Sequence, residues 1–248
     1  MKHLIKKLLY VGTTHQCPIC QYRCRDWAYS GVDVAVNKEL EIIGAGRRKN
    51  ICISCGSNDR ERLIFVFLQK QIAPSEWSKL SVLHIAPEWN LSKWIAKQQP
   101  KNYHQGDRHM EGYQYSKEVQ HMDVTKLPFP KDEFDWIICN HVLEHIEEDR
   151  SAMKELHRVL KPGGCTLLQV PISRKLEKTY EDNQIQSPSD REKYFGQSDH
   201  VRIYGKDYPE RLIQAGFEVK EAPTTIQSFL YGLNPKEVIF SCYKKQQI

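Results

Sequence analysis

Two Cys-x-x-Cys pairs, Cys17-Pro18-Ile19-Cys20 and Cys52-Ile53-Ser54-Cys55, have the most direct chemical reading in the chain. Each pair folds as a turn that points two sulfurs at one ion. Two such turns complete a tetrahedral four-thiolate zinc site, which is structural because no coordination position stays open. Metal binding is expected over disulfides because no export signal accompanies the eight cysteines. Cys24 and His15 are weaker choices of ligand, and free buried thiols are the bland alternative. A second group is Asp199-His200-Val201-Arg202, where carboxylate, imidazole and guanidinium stand together as an oriented base and an anion clamp. His141 and His145 are further candidate bases. Glu181, Asp182, Asp199 and His200 are of metal-ligand type, but their spacing is not diagnostic of a second ion site.

These residues need elements to position them. Asp135 to Asn140 (DWIICN) is a short apolar run with aromatic and β-branched residues, as expected of a strand buried on both faces of a parallel sheet. Asp149 or Ser151 caps a helix whose Ala152, Met153, Leu156, Val159 and Leu160 form one apolar face. Lys161-Pro162-Gly163-Gly164 ends that helix, and Cys165 to Val170 (CTLLQV) is the next strand. Upstream, 59–72 reads as a helix with an acidic start. Strands follow at Ser81 to Ala86, at Asn102 to Asp107 and at Val119 to Asp123, the last two ending in carboxylates. Downstream, Asp207 to Ala215 is a helix closed by Gly216, with strands at Phe217 to Ala222 and Glu237 to Tyr243. This alternation predicts an open α/β sheet, doubly wound and mostly parallel, with its ligand at the carboxyl ends of the strands. The segment between the cysteine pairs, VDVAVNKELEIIG, is expected to be a β-ribbon, which places a zinc-ribbon-like module at 1–58 and the main domain at 59–248.

Composition bounds the function. Lys and Arg outnumber Asp and Glu by 36 to 31, a net charge of +5 spread along the chain, which is no nucleic-acid footprint. Arg47-Arg48-Lys49 is the one basic run that could meet phosphate, and a solvated turn explains it equally. The start MKHLIKKLLYVG is too short and interrupted in its apolar residues for a signal peptide, and no run reaches the ~20 apolar residues of a membrane span. A cytoplasmic protein without membrane partners is the expectation.

Asp123-Val124-Thr125-Lys126-Leu127-Pro128-Phe129, Phe134 to Ile146 (FDWIICNHVLEHI) and Arg158 to Gly164 (RVLKPGG) resemble the motifs of class I S-adenosylmethionine-dependent methyltransferases of the type 11 group. The likeness runs from about residue 80 to 220. It implies a Rossmann-like sheet of seven strands, methyl transfer from S-adenosylmethionine, Asp107 on the ribose hydroxyls, and Asp123 on the adenine amine with the Val124 backbone beside it. It also implies a cofactor-facing set that includes His84, Ala86, Glu88, Asn140 and His145. Either Asp has the alternative of bonding its own turn. Where the family has D-x-G-x-G, this chain has His84-Ile85-Ala86-Pro87-Glu88, and Pro87 lacks the N–H that a backbone cradle needs. Either the loop takes another path, with Glu88 on the cofactor's ammonium, or cofactor binding is degenerate.

The polar segment 171–206 is too long for a connector and is expected to be a substrate lid. Its T-x-E-D and F-G-Q-x-D-H-V-R-x-Y-G patterns resemble a subgroup of zinc-bearing bacterial methyltransferases. His200, Asp199 and His141 are the catalytic candidates, and Arg202, Glu181 and Tyr204 the substrate candidates. The expected acceptor is a small molecule or glycan-like metabolite. RNA methylation guided by the ribbon, and a non-catalytic cofactor-binding scaffold, are the alternatives.

Overall fold

Seven strands pair into one sheet in the computed structural model, which describes residues 2–109, 115–224 and 228–246. In chain order they are β1 (Ser81–Ile85), β2 (Asn102–Asp107), β3 (Val119–His121), β4 (Phe134–Cys139), β5 (Leu160–Leu167), β6 (Glu218–Pro223) and β7 (Val238–Tyr243). Across the sheet the order is β6-β7-β5-β4-β1-β2-β3, with β7 antiparallel to both neighbours and the remaining pairs parallel. This is the expected Rossmann-like architecture. The order reverses between β1 and β4, so their carboxyl ends open a crevice.

The sheet buries both faces by simple alternation. Leu83, Ile85, Ile137 and Cys139 face one core, with α3 (Asp149–Val159) and α4 (Tyr208–Gln214). Val82 and Ile138 face the other, with α1 (Asp59–Gln71) and α2 (Trp89–Lys97). Helix α3 is where the sequence placed it, but its first residue does not cap it. Asp149 is buried and its carboxylate meets Arg211 and Tyr204 instead. Lys161-Pro162-Gly163-Gly164 does end α3, yet it already belongs to β5, which starts at Leu160 and stops at Leu167, three residues before the expected end.

The N-terminal segment departs most from expectation. Two antiparallel pairs, Val11–Gln16 with Arg23–Cys24 and Ala28–Ser30 with Arg48–Ile51, each lead into one cysteine turn. The stretch between them is no ribbon. Ala35–Glu39 is a short helix, and Ile42 bridges to Ser173 of the lid. The physical reason is visible in the spacing: Val36 and Leu40 are four residues apart, and both pack with Ile42 against Phe195 and Ile203. Arg62 of α1 ties this segment down. It is fully buried, donates to the carbonyls of Asn50, Ser57, Tyr231 and Gly232, and its guanidinium carbon lies 4.0 Å from the Trp27 ring centroid.

Candidate functional site

The cysteine turns are built alike. Cys17 N–H donates to Tyr22 O and Gln21 N–H to Cys17 O; Cys52 N–H donates to Ser57 O and Gly56 N–H to Cys52 O. Gln21 and Gly56 hold the same left-handed conformation, with φ of 61° and 80°. Zinc–sulfur bonds of about 2.3 Å at tetrahedral angles separate sulfurs by about 3.8 Å. Cys17 Sγ and Cys55 Sγ are 3.8 Å apart, and Cys20 Sγ and Cys52 Sγ 3.7 Å. The donor set therefore fits one zinc ion with no open position. Cys24 lies outside this cluster, and His15 Nδ1 is engaged with Phe229 O at 3.0 Å.

At the sheet's carboxyl edge, Ile85 is level with both Cys139 and Gly106, so Ala86, Asn140 and Asp107 leave the sheet side by side. Ala86 takes the left-handed conformation, φ 49°, which a glycine would adopt without strain. Its N–H donates to Gly106 O, and Pro87 has none, so this loop offers no backbone cradle there. The carboxylate does the work instead. His84, fully buried, donates from or accepts at Nδ1 with Tyr103 Oη (2.9 Å) and sits 2.7 Å from Glu88 Oε2 through Nε2; Asn140 Nδ2 reaches Glu88 Oε1 at 3.4 Å. Burial pushes the Glu88 carboxyl up, but the hydrogen bond and charge of His84, joined by hydrogen bonds from Asn140 and the backbone, together outweigh it and hold the group below the usual carboxylate range. Asn140 Oδ1 is left buried without a partner. Among the described residues, Asp107 accepts from His109 N–H at Oδ1, and Asp123 Oδ1 accepts from Thr125 N–H and Oγ1–H.

An anion-binding position at this edge is already filled. The N–H groups of Asn90 and Leu91, at the start of α2, both donate to Glu61 Oε1, at 2.7 and 2.8 Å. Glu61→Ala removes that cap and is expected to cost about 2 kcal/mol, lowering the thermal midpoint by about 5 °C. A calorimetric melt checks it.

A cavity of about 560 Å³ opens next to the crevice. One wall is the segment between the cysteine pairs, including Asn37 and Gly44, with Arg60 of α1 beside it; the other is the lid around Phe195, Gly196 and His200. Its floor is His141, Glu144 and His145, which follow β4 directly. His141 has φ 54°, and its Nδ1 lies 3.3 Å from Glu144 Oε1, off hydrogen-bond direction, so both ring nitrogens are buried and unpartnered. Burial pushes the Glu144 carboxyl up, but His141, His145 and His200 around it bring it down to about 2. His145 Nδ1 meets Asp199 Oδ2 at 3.2 Å.

Residues 92–168 match a family model described as a methyltransferase domain. That stretch of the chain, from α2 to the end of β5, is similar to a methyltransferase domain. A demethylmenaquinone methyltransferase of Lysinibacillus sphaericus is 33% identical over 69 residues, 25% of this chain and 30% of that protein. A ubiquinone/menaquinone biosynthesis C-methyltransferase of Nitrosospira multiformis is 28% identical over 112 residues, 40% of this chain and 46% of that protein. The chain thus spans less than half the length of the curated relatives it matches. Among solved structures, an S-adenosylmethionine-dependent methyltransferase from Mesorhizobium loti aligns at a TM-score of 0.49 and 15% identity, over 72% of this chain and 96% of that one. One from Archaeoglobus fulgidus aligns at 0.49 and 12%, over 74% and 94%.

Across the sheet and the 171–206 segment, the residues singled out in the sequence divide by position. Glu88, Asp107, Asp123 and Asn140 line the carboxyl edge, and Ala86 and the buried Val124 pack the core beneath it. His84 lies in the sheet and acts through Glu88. His145 is not beside the strand-end carboxylates; it faces the lid, and Asp199 orients it and not its neighbour His200. The expected substrate residues Arg202, Glu181 and Tyr204 meet in one hydrogen-bonded network, and Arg202 also lines the cavity. Arg202 is buried and donates to Leu143 O (2.9 Å), Glu147 O (2.8 Å), Ile146 O and Glu181 Oε2 (2.9 Å); Arg211 holds Asp149 (3.0 Å) and Glu181 (3.2 Å); Tyr204 Oη donates to Asp149 Oδ2 (2.8 Å). Glu181 is thus paired with two arginines and lies outside the cluster of Glu144, His145 and His200. Of the basic run, Arg48 is paired with Asp59 and Lys49 with Asp26. Sequence reasoning missed Glu144, whose only signal was a carboxylate between two histidines four residues apart.

Proposed function

We propose that this protein transfers a methyl group from S-adenosylmethionine to a small or glycan-like acceptor held between the cysteine module and the lid, and that the four cysteines bind structural zinc. The observation that supports this most is the continuity of the carboxyl edge with the cavity floor through Asn140-His141. The edge presents acceptors: Glu88, the unpartnered Asn140 Oδ1, the second oxygen of Asp107, and Asp123. S-adenosylmethionine presents matching donors in its ammonium, its ribose hydroxyls and its adenine amine. Bound there, it supplies a methyl group on a cationic sulfur.

The chain's own residues do the rest. Glu88, kept ionised by His84, takes the ammonium, which answers the missing glycine cradle. Asp107 takes the vicinal hydroxyls and Asp123 the amine, its Oδ2 being clear of the Thr125 turn. The carboxylate of the cofactor gains nothing from α2, whose first N–H groups belong to Glu61. His141, unpartnered and next to the edge, accepts the proton of an acceptor hydroxyl or amine as the new bond forms. A cavity of about 560 Å³ is in the range of small-molecule sites.

Calorimetry tests the reading. One S-adenosylmethionine or S-adenosylhomocysteine is expected to bind per zinc-loaded chain, and Asp107→Ala to weaken it more than tenfold. No binding by intact protein would leave only the scaffold alternative. In a screen of small hydroxylated acceptors with methyl-labelled S-adenosylmethionine, His141→Asn is expected to lower kcat by about 10²- to 10⁴-fold while cofactor affinity holds.

A further inference from the structure

Glu144, His145 and His200 come from two distant parts of the chain, the turn after β4 and the lid, and meet at the cavity. One ligand atom from each lies within 4.8 Å of the others. Glu144 is 2% exposed, and its Oε2 has no hydrogen-bond partner. Leaving a buried carboxylate oxygen unmatched costs about 1–3 kcal/mol or more, so the arrangement is stable only with a positive group beside it.

The two histidines are held in a particular way. His145 Nδ1 is turned to Asp199, 3.2 Å from Oδ2 and 3.3 Å from its carbonyl. His200 Nδ1 is turned to Phe195 O at 3.3 Å. In both rings the outer nitrogen is fixed by an acceptor, so the proton sits on Nδ1 and Nε2 presents a lone pair. A carboxylate or carbonyl on the far nitrogen is the arrangement that orients metal-ligating imidazoles. The rings stand edge to face, with centroids 4.8 Å apart and planes at 81°, so they approach a common point from different directions.

We propose that Glu144 Oε2, His145 Nε2 and His200 Nε2 bind a divalent transition ion of the zinc type, separate from the four-cysteine site. Two imidazoles and a carboxylate are borderline ligands that suit zinc, and three protein ligands leave at least one open position, in contrast to the closed cysteine cluster. Bonds of about 2.1 Å place ligand atoms about 3.4 Å apart, so the three side chains draw together by roughly 1 Å on binding. Ion binding stands on this geometry alone; the use of the open position rests on the methyltransferase reading. There it would hold the acceptor's oxygen. The ion favours loss of the hydroxyl proton to His141, whose Nδ1 is beside the other oxygen of Glu144. The freed oxygen pair bonds to the methyl carbon as the carbon–sulfur pair returns to sulfur.

Cobalt is the probe. Full-length protein carrying one zinc per chain in its cysteine site is titrated with Co²⁺, followed by calorimetry and by visible absorption. One further equivalent is expected, with weak d–d bands and without the intense thiolate charge-transfer band. Glu144→Gln and His200→Asn are expected to weaken that equivalent more than about 100-fold, and Asp199→Ala by about 10- to 100-fold, with zinc content and melting temperature kept. Absence of a second equivalent in the wild type overturns the proposal, as does a second equivalent that survives in both Glu144→Gln and His200→Asn. Cofactor calorimetry on the same samples reports separately on the methyltransferase reading.

Discussion

Cys52→Ser is expected to release the zinc of the cysteine cluster and to lower the thermal midpoint by more than about 15 °C. The reasoning is one of coupling. A structural zinc contributes about 10–16 kcal/mol to a small module that cannot fold without it, comparable with the total stability of an ordinary domain. Here the module is not free to unfold alone. Arg62 is fully buried, and two of its four carbonyl partners, Asn50 and Ser57, belong to the cysteine module. Losing the cluster strands a buried guanidinium inside α1. The module also forms one wall of the cavity, so acceptor binding is lost before the sheet itself melts. Metal analysis and a melt of the purified variant check this, and wild-type zinc content with a wild-type midpoint would refute it.

Asp149→Ala is the second large effect, at about 3–5 kcal/mol and about 10 °C. Asp149 is 2% exposed and, among the described residues, is the one fully buried anion paired with Arg211 and Arg202, since Glu181 is half-exposed. Removing it leaves two buried cations with the half-exposed Glu181 as their remaining counter-charge, and takes one acceptor each from Arg211 and the Tyr204 hydroxyl. Leucine at 211 should restore much of the loss, because replacing both partners by apolar groups costs far less than breaking the pair. A double-mutant cycle reads the coupling, expected at a few kcal/mol. Additive losses would show that the network is incidental to holding the lid.

Features set by neighbours in sequence were legible. The run DWIICN names a doubly buried strand because Ile137 and Ile138, pointing to opposite faces, each meet an apolar core. The cysteine turns were legible because two ligands three residues apart need only a turn. What escaped depends on partners far along the chain. Val36 and Leu40 belong to a helix only because Phe195 and Ile203 offer them a surface, and the valine-rich stretch around them reads locally as strand. Arg202, Tyr204 and Glu181 have the side chains of a substrate site, and no periodicity tells a charged residue facing a ligand from one locked under a lid. Glu61 read as a favourable acid in the first turn of α1; its contact with α2, thirty residues on, is invisible until the helices pack. The departure at His84 to Glu88 was legible as a departure, but its resolution, a histidine below holding a carboxylate above, required the sheet.

The cavity's two walls lie some 150 residues apart, and they fit each other side chain by side chain. A Cβ on residue 196 would sit 2.1 Å from Asn37 Oδ1, and Asn37 Nδ2 in turn donates to Gly196 O. The insert between the cysteine pairs and the lid must therefore be inherited together. A chimera that takes the lid of a relative and keeps the native insert would carry a mismatched seam at Asn37, whereas exchanging both segments at once would move acceptor preference and leave the cofactor side unchanged.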